Sequence, residues 1–224
     1  MGNNILIVTH SEDVHADKVI AVLVGKKQNI IRWNTDKYYN IALSAGQQAN
    51  GKFLMGFSLD EINGVYFRRI RHPLIEADNQ KFKNLIEEEN TALIESILRS
   101  LENRTMINNF SAMKRVLHNK FFQLEKAQSV GLFIPETLIT NDPAELIAFY
   151  EKLNGRVVCK LAKSADIVID GQRKVMYTSK VEKKHLENAR KLKTSSLIFQ
   201  EAIEKHRDIR VIIVGEEIFA AEIK

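Results

Sequence analysis

The chain opens with apolar and polar segments in an order that predicts a β-α-β unit. Residues Asn4–Thr9 form a predominantly apolar run, which is typical of a strand buried in a parallel sheet. In Asp13–Val24 the apolar residues recur at helical spacing, and Asn29–Trp33 is again strand-like. The order strand, helix, strand predicts a small Rossmann-like domain at the N-terminus.

Two further strands are predicted at Lys52–Leu59 and Val65–Ile70, with a turn at Asn63-Gly64 between them. The second strand ends in a cluster of arginines, which are Arg68, Arg69 and Arg71. Strand alternation would place Arg69 and Arg71 on one face of the sheet and Arg68 on the other. The cluster fits either an anionic substrate or acidic surface, or a structural ion pair at the end of a sheet.

Helical patterns dominate the middle of the chain. Asn79–Asn103 carries an apolar stripe opposite an acidic one, which predicts a helix that packs on a core. Ser111–Val130 predicts a second helix, and Lys120 within it is by itself typical of a solvated lysine. Asp142 and Pro143 are a typical cap and first residue of a third helix.

A lysine stands inside the apolar strand predicted at residues 156–162. An unpaired buried ammonium group is energetically costly or loses its proton, so Lys160 requires an anionic partner if the strand is buried. The alternative is a lysine that protects the edge of a sheet. The run by itself leaves both interpretations open.

The C-terminal part predicts mainly strands. A polar loop over residues 163–174 precedes a strand at Val175–Val181 and a basic helix at Glu182–Leu192. Ser196–Glu222 then predicts a strand, a polar hinge segment at residues 201–208, and a hairpin that turns at Gly215.

The hinge segment suits a nucleotide. The backbone of Glu201, Ala202 and Ile203 offers an exposed edge to adenine. Asp208 is placed to accept hydrogen bonds from a ribose, and Arg210 to face a phosphate or carboxylate group. The alternative is an ordinary hairpin with solvated charges.

Composition places the chain among globular proteins of one large or two small domains. It has 224 residues, of which 45% are hydrophobic and 27% charged, and its net charge is +5. The basic excess is concentrated between residues 180 and 210, where nine Lys or Arg accompany five Asp or Glu. Because no long basic tract with interleaved aromatic residues is present, we expect no nucleic-acid partner, and a basic solvated helix remains the alternative to a polyphosphate site.

Several functional classes lack their motifs. A Gly-x-Gly-x-x-Gly loop after the first strand, a Walker loop and a Gly-x-Ser-x-Gly elbow are all missing from the sequence. The six histidines show no metal-ligand spacing, so no metal site is predicted within this chain. Cys159 is the single cysteine, and the apolar N-terminal run is too short for a signal peptide or a spanning helix, so we expect a cytoplasmic protein without membrane association.

These motifs together resemble those of the ATP-grasp superfamily, and more narrowly the microviridin-type maturases of graspetides. The segments that carry the resemblance are ILIVTHSED, VYFRR, NKFFQLEKAQSVGLFIPETLITNDP, VVCKLA, MYTSKV, FQEAIEK and DIRVIIVGEEIFAAEI. The resemblance covers nearly the whole chain. It implies an α/β protein with a Rossmann-like pre-ATP-grasp domain at residues 1–110, followed by an incomplete α+β ATP-grasp module at residues 111–224.

The resemblance also implies roles for individual residues. Lys120 and Lys160 would hold the phosphates of ATP, while Glu201 and the backbone of the next two residues would meet adenine. Asp208 would meet the ribose, and Arg210 the phosphate or the acyl-phosphate substrate. In this family an Asp or Glu side chain of a precursor peptide, made of a leader and a core, is activated as an acyl phosphate. A Ser or Thr hydroxyl or a Lys amine then forms an ester or amide cross-link.

Family members continue past Ile223 into the segment that ligates magnesium, and this chain stops at Lys224. We therefore expect the Mg ligands beyond residue 224 and no turnover by these 224 residues alone. The chain is part of a longer protein, a naturally shortened non-catalytic relative, or one piece completed by another subunit. The unpaired edge of the last hairpin predicts a homodimer.

Two other functions remain open from the sequence. One is an ATP-grasp carboxylate–amine ligase that acts on a small amino acid or a protein terminus. The other is a non-catalytic protein that binds ATP or a leader peptide.

Overall fold

A computed structural model describes residues 2–37, 45–48, 51–54, 57–73, 75, 77–163, 166–169, 172–175 and 177–223. The chain divides into two compact units, residues 1–117 and 118–224. The predicted α/β fold is confirmed, because a parallel sheet and several antiparallel sheets are present together with helices. Among the described residues, no helix is both long enough and apolar enough to cross a membrane.

The first unit is built on a parallel sheet with the strand order β2-β1-β6-β7. Its elements are β1 (Asn4–Thr9), α1 (Val14–Gly25), β2 (Asn29–Asn34), β3 (Ala45–Gln48), β4 (Gly51–Leu54), β5 (Phe57–Ser58), a 3₁₀ helix (Leu59–Glu61), β6 (Ile62–Phe67), a 3₁₀ helix (Ala77–Phe82), α2 (Lys83–Ser100), β7 (Thr105–Ile107) and α3 (Phe110–Val116). Strands β3, β4 and β5 form a separate antiparallel sheet.

The described residues of the first unit share a hydrophobic core. Leu6 and Val8 of β1 and Trp33 of β2 pack with Ile94 and Leu98 of α2, and each of these residues is at most 2% exposed. The full apolar run of β1 is therefore explained by burial in the centre of a parallel sheet.

Two predictions for the first unit are wrong. Asn63 and Gly64 are not a turn, because both lie inside β6, which pairs in parallel with β1. Strand β6 also ends at Phe67, and Arg69 has a positive φ of 49°, so strand alternation does not govern the arginine cluster. Arg68 Nε instead lies 3.3 Å from the buried carboxylate of Asp13. Arg68 therefore forms a structural ion pair, which was one of the two interpretations left open by the sequence.

The second unit is built on an antiparallel sheet with the order β12-β9-β13-β8. Its elements are α4 (Lys120–Ser129), β8 (Thr137–Thr140), α5 (Pro143–Lys152), β9 (Val157–Lys160), β10 (Asp166–Ile169), β11 (Gln172–Val175), β12 (Ser179–Lys180), α6 (Lys183–Leu186), a 3₁₀ helix (Ala189–Thr194), β13 (Leu197–Glu201), β14 (Asp208–Val214) and β15 (Glu217–Ile223). Strands β10 and β11 form one hairpin, and β14 and β15 form another.

The predicted start of α5 and the turn at Gly215 are confirmed, since Asp142 accepts from the Ala144 N–H and Gly215 lies between paired strands with a φ of 61°. The prediction of a polar loop at residues 163–174 is wrong, because β10 and β11 pair there as antiparallel strands. Residues 164, 165, 170 and 171 of that loop lie outside the described residues.

The antiparallel sheet of the second unit separates two environments. Val157, Cys159, Leu197 and Phe199 point to the face that packs against α5, where they join its core. Lys160, Ile198 and Gln200 alternate with them and point to the opposite face, together with residues of α4. We call these the α5 face and the α4 face.

Candidate functional site

Two lysines from different elements line one cavity on the α4 face. The cavity measures about 330 Å³ and is lined by Lys120, Gln123, Leu124 and Ala127 of α4, by Pro135, and by Lys160, Ile198 and Gln200 of the sheet. We call it the lysine cavity. All of its lining residues belong to the second unit.

Lys120 lies at the start of a helix, because the helix predicted over residues 111–130 is interrupted. The structure has two helices there, α3 and α4, and His118 between them has a φ of 60°. Asn119 then caps α4 by accepting a hydrogen bond from the Phe122 N–H at 3.1 Å. Lys120 is thus the first residue of α4, where unpaired backbone N–H groups add to its positive charge.

Lys160 is the last residue of β9, and its neighbours explain why it faces the cavity. Val157 and Cys159 occupy the α5 face, so alternation sends Lys160 to the α4 face. Burial lowers the pKa of Lys160, and the positive charge of Lys120 lowers it further. An anion in the cavity would relieve that repulsion and is therefore favoured there.

Two glutamines of the lysine cavity were missed by the sequence analysis. Gln123 accepts a hydrogen bond from Lys120 Nζ at 3.0 Å, as a residue three positions further along a helix is able to do. Gln200 is 7% exposed and donates from Nε2 to Thr137 Oγ1 at 2.8 Å. Gln200 had a signal in the sequence, since it is a polar residue within an apolar strand, as Lys160 is.

The hinge segment begins at the end of β13, the strand that contributes Ile198 and Gln200 to the lysine cavity. The Glu201 N–H donates to the Glu136 carbonyl at 2.9 Å, and the Ala202 N–H donates to the Arg156 carbonyl at 2.8 Å. The N–H of Ile203 has no partner among the described residues. Strand β13 ends at Glu201, so the Ile203 N–H is a donor that the hinge segment offers just beyond the strand.

The Glu201 side chain is engaged elsewhere. It follows Leu197 and Phe199 in alternation, so it projects on the α5 face rather than toward Lys160. There its Oε1 lies 3.3 Å from a terminal nitrogen of Arg156. Any contact of Glu201 with an adenine through the open edge of the hinge segment is therefore a contact of its backbone.

Asp208 and Arg210 are not among the residues that line the lysine cavity. Both are on β14, two positions apart, and so they share one face of the β14–β15 hairpin. Asp208 Oδ2 accepts from Lys205 Nζ at 2.6 Å, while Arg210 has no ion pair with a described residue. The structure thus places Lys120 and Lys160 in one cavity. That Asp208 and Arg210 bind the same nucleotide stays a prediction.

Among the described residues, no group of three or more His, Cys, Asp or Glu side chains is arranged to hold a metal ion. Magnesium in phosphate-transfer sites is usually held by one or two carboxylates together with the phosphates of the substrate. The magnesium ligands expected beyond residue 224 therefore stay a prediction.

Comparisons with known proteins agree with this architecture. A family model described as the MvdD pre-ATP grasp domain matches residues 4–114. No curated relative is found by sequence.

Solved structures give close matches over nearly the whole chain. The macrocyclase MdnC of Microcystis aeruginosa MRC, solved with the precursor peptide MdnA, matches with a TM-score of 0.87 at 26% identity, over 98% of this chain and 75% of that one. A Chryseobacterium gregarium RiPP-associated ATP-grasp ligase, in complex with ADP and a leader and core peptide, has a TM-score of 0.85 at 29% identity, over 99% and 69% of the two chains. The macrocyclase MdnB of M. aeruginosa MRC has a TM-score of 0.79 at 28% identity, over 99% and 75%.

Proposed function

Because the chain belongs to the ATP-grasp superfamily and carries an MvdD-type pre-ATP-grasp domain at residues 4–114, we propose that it is an ATP-dependent ligase of the graspetide-maturase type. Its substrate is a ribosomal precursor peptide with a leader and a core. The reaction activates Asp or Glu side chains of the core and joins them to Ser, Thr or Lys side chains as esters or amides.

One observation carries the proposal: Lys120 and Lys160 line one cavity, where the charge of Lys120 contributes to the lowered pKa of Lys160. Two neighbouring cations without a carboxylate among the lining residues form a site for a strongly anionic group. A triphosphate supplies such a group, and the two ammonium groups would hold its charge during phosphoryl transfer. The similar ligase from C. gregarium was solved with ADP.

The hinge segment supports binding of the base. The Glu201 carbonyl would accept from the exocyclic amino group of adenine, and the Ile203 N–H would donate to a ring nitrogen. The Ala202 N–H is already bound to the Arg156 carbonyl, so its role is to hold the segment in place. Asp208 would accept from the ribose hydroxyls and Arg210 would hold the acyl phosphate, and both assignments rest on the family resemblance.

The proposed reaction needs no oxidant or reductant. A carboxylate oxygen of the peptide attacks the terminal phosphorus of ATP, which gives an acyl phosphate and ADP. A hydroxyl or amine of the same peptide then attacks the acyl carbon, phosphate leaves with the bonding electron pair, and the nucleophile loses its proton. Each cross-link therefore removes one water from the peptide overall.

The test combines nucleotide binding with peptide mass. ATP binding is measured by calorimetry on the wild type, on Lys160→Met, and on Lys126→Met as a control in α4 that does not line the cavity. We expect affinity to fall at least tenfold in Lys160→Met and to stay unchanged in the control. Equal affinity in all three proteins would exclude the phosphate role of Lys160.

The second readout is the mass of a co-encoded peptide incubated with the protein, ATP and magnesium. A loss of one water per cross-link, dependent on ATP, supports the ligase. ATP binding without any mass change would instead identify a protein that binds nucleotide without chemistry. Ligation to a free amino acid would identify another ATP-grasp carboxylate–amine ligase.

A further inference from the structure

The side chain of Gln200 presents a free hydrogen-bond acceptor to the lysine cavity. Gln200 is buried and lines the cavity together with the two lysines. Its Nε2 donates to Thr137 Oγ1 at 2.8 Å. Its Oε1 accepts no hydrogen bond from a described residue, and this oxygen is not closed off from solvent. Oε1 is therefore the accessible polar atom of the side chain, and the cavity is the space that it meets.

Thr137 fixes which end of the Gln200 amide faces the cavity. A threonine hydroxyl has a single hydrogen, and Thr137 Oγ1 donates it to the Pro135 carbonyl at 3.0 Å. The hydroxyl oxygen is left with acceptor capacity alone, which the amide NH₂ group of Gln200 satisfies. A flipped amide would place two acceptors, Oε1 and Oγ1, against each other. The cavity is thus offered a carbonyl oxygen, which attracts donors and repels acceptors.

Gln200 lies between the hinge segment and the level of Lys160. It directly precedes Glu201, the first residue of the hinge segment. Ile198 is the residue of β13 that pairs with Lys160, and Gln200 pairs with Val158 of the same neighbouring strand. Two residues along a strand span about 7 Å, so Gln200 is nearer to the hinge segment by that distance. A nucleotide with its base at the hinge segment and its phosphates at the lysines would place the base beside Gln200.

The exocyclic amino group of adenine calls for two acceptors. It carries two hydrogens, one on the side of N1 and one on the side of N7. The Glu201 carbonyl is the proposed acceptor for the first hydrogen, and the second needs another oxygen. A 6-oxopurine carries an oxygen at the same position, which Gln200 Oε1 would repel. The cavity also has the apolar wall that a purine ring requires, formed by Leu124, Ala127, Pro135 and Ile198.

We propose that Gln200 selects adenine over 6-oxopurine nucleotides, because its Oε1 accepts the hydrogen of the adenine amino group on the N7 side. Thr137 is a positioning residue, since its hydroxyl keeps the amide in the accepting orientation. This inference rests on the proposed function, which supplies a nucleotide with its phosphates on Lys120 and Lys160. A site that hydrogen-bonds an N–H group of its ligand rejects the analogue that lacks it, because a buried polar atom is then left unpaired.

The test compares the affinities of ATP, inosine triphosphate and inorganic triphosphate by calorimetry. The two nucleotides share the ribose and the phosphates and differ around position 6 of the purine, and triphosphate has no base. In Gln200→Met we expect the ratio of ATP affinity to inosine triphosphate affinity to fall roughly tenfold or more. ATP loses an acceptor there, and inosine triphosphate loses a repulsive contact. The affinity for inorganic triphosphate should stay unchanged.

Two further variants separate selection of the base from a structural role of Gln200. In Thr137→Val the amide is free to turn its NH₂ group to the cavity, so inosine triphosphate should gain affinity by roughly threefold or more while ATP loses affinity. In Gln200→Ala the shorter side chain leaves space beside the amino group. There N6-benzyl-ATP should bind roughly tenfold or more tighter than it binds the wild type.

Gln123→Met is the matched control. Gln123 also lines the cavity, but it accepts from Lys120 Nζ. This substitution should therefore change the affinities for ATP and inosine triphosphate by the same factor and keep their ratio. A ratio that falls in Gln123→Met as strongly as in Gln200→Met would overturn the inference, because no particular acceptor would then select the base.

Other results would also overturn the inference. These are equal affinity of the wild type for ATP and inosine triphosphate, an unchanged ratio in Gln200→Met, or an equal loss for all three ligands in that variant, which would place Gln200 at the phosphates. Should Gln200→Met fail to fold, as judged by circular dichroism, the absence of a gain for N6-benzyl-ATP in Gln200→Ala overturns the inference in its place. Absence of nucleotide binding by the wild type counts against the proposed function and removes this inference with it, whereas ATP binding with an unchanged ratio counts against this inference alone.

Discussion

Lys160 at the end of β9 and Lys120 at the start of α4 line the same cavity, where burial and then the charge of Lys120 lower the pKa of Lys160. Neither lysine has a carboxylate partner among the described residues. The fold therefore maintains an unbalanced pair of cations, which is unfavourable in the free protein and favourable once a polyanion binds.

Removal of Lys120 is predicted to raise the pKa of Lys160 toward its ordinary value of 10.5, because the repulsion disappears while burial remains. The change is Lys120→Met, and the measurement is an NMR titration of the Lys160 Cε resonance. Lys126→Met is the matched control, since Lys126 lies on the same helix without lining the cavity. An identical Lys160 titration in both variants would show that the two ammonium groups do not interact.

Lys160→Met is predicted to stabilise the second unit in the absence of nucleotide. A lowered pKa means that the folded state binds this proton less tightly than the unfolded chain, so the charged lysine destabilises the fold at neutral pH. The penalty disappears as pH rises from the lowered pKa toward 10.5. Allowing for solvent screening, we expect a gain of about 0.5 kcal/mol in the free energy of unfolding at neutral pH.

Amide hydrogen exchange in β9 and β13 measures this gain in the unit that contains Lys160. The expected pattern is slower exchange in Lys160→Met at neutral pH, together with weaker ATP binding. Faster exchange in the variant would mean that Lys160 stabilises the free fold and is paired by a group that the proposal does not include.

The sequence allowed the lysine cavity to be anticipated only in part. Lys160 was identifiable because a cation in an apolar strand needs an anion, and alternation with Cys159 fixes its face. The start of α4 was not identifiable, since the helical pattern runs through His118 and only a left-handed backbone there interrupts it. The local sequence pattern also could not show that Asn63 and Gly64 lie inside a strand. Their strand β6 is held by pairing with β1, which is distant in sequence.

Arg156→Ala is predicted to weaken ATP binding by about threefold. The Arg156 side chain lies 3.3 Å from Glu201 Oε1 and restrains the residue whose carbonyl would meet adenine. The effect is modest because the Arg156 side chain is 61% exposed and because the Arg156 carbonyl still accepts from the Ala202 N–H. Calorimetry with ATP and with inorganic triphosphate distinguishes an effect on adenine binding from an effect on phosphate binding, since only ATP contains the base.

Lys152→Ala is the control for that experiment, because it removes an exposed ion pair with the side chain of Glu136, the residue before β8. We expect it to leave both affinities unchanged. A loss of triphosphate affinity in Arg156→Ala equal to the loss of ATP affinity would place the side chain at the phosphates instead of at the hinge segment.

Asp13→Asn is predicted to reduce the acid sensitivity of the first unit. Burial by itself raises the pKa of Asp13, but hydrogen bonds from Thr9 and from the N–H groups of Ala16 and His15, together with the charge of Arg68, lower it below its ordinary value of 3.8. A depressed carboxylate pKa contributes stability above pH 3.8, and that stability is lost as pH falls through the folded-state value.

The substitution keeps a residue that caps helices well but removes the buried charge beside Arg68, so we expect a loss of about 1–2 kcal/mol at neutral pH. Urea unfolding followed by the fluorescence of Trp33 reports on this unit, because Trp33 is the only tryptophan and is buried in its core. The difference between wild type and variant should shrink as pH falls below 3.8, whereas Asp17→Asn, at a half-exposed position on the same helix, should change stability by less than about 0.5 kcal/mol. A difference that stays constant with pH would show that Asp13 acts through packing and capping and that its charge contributes little.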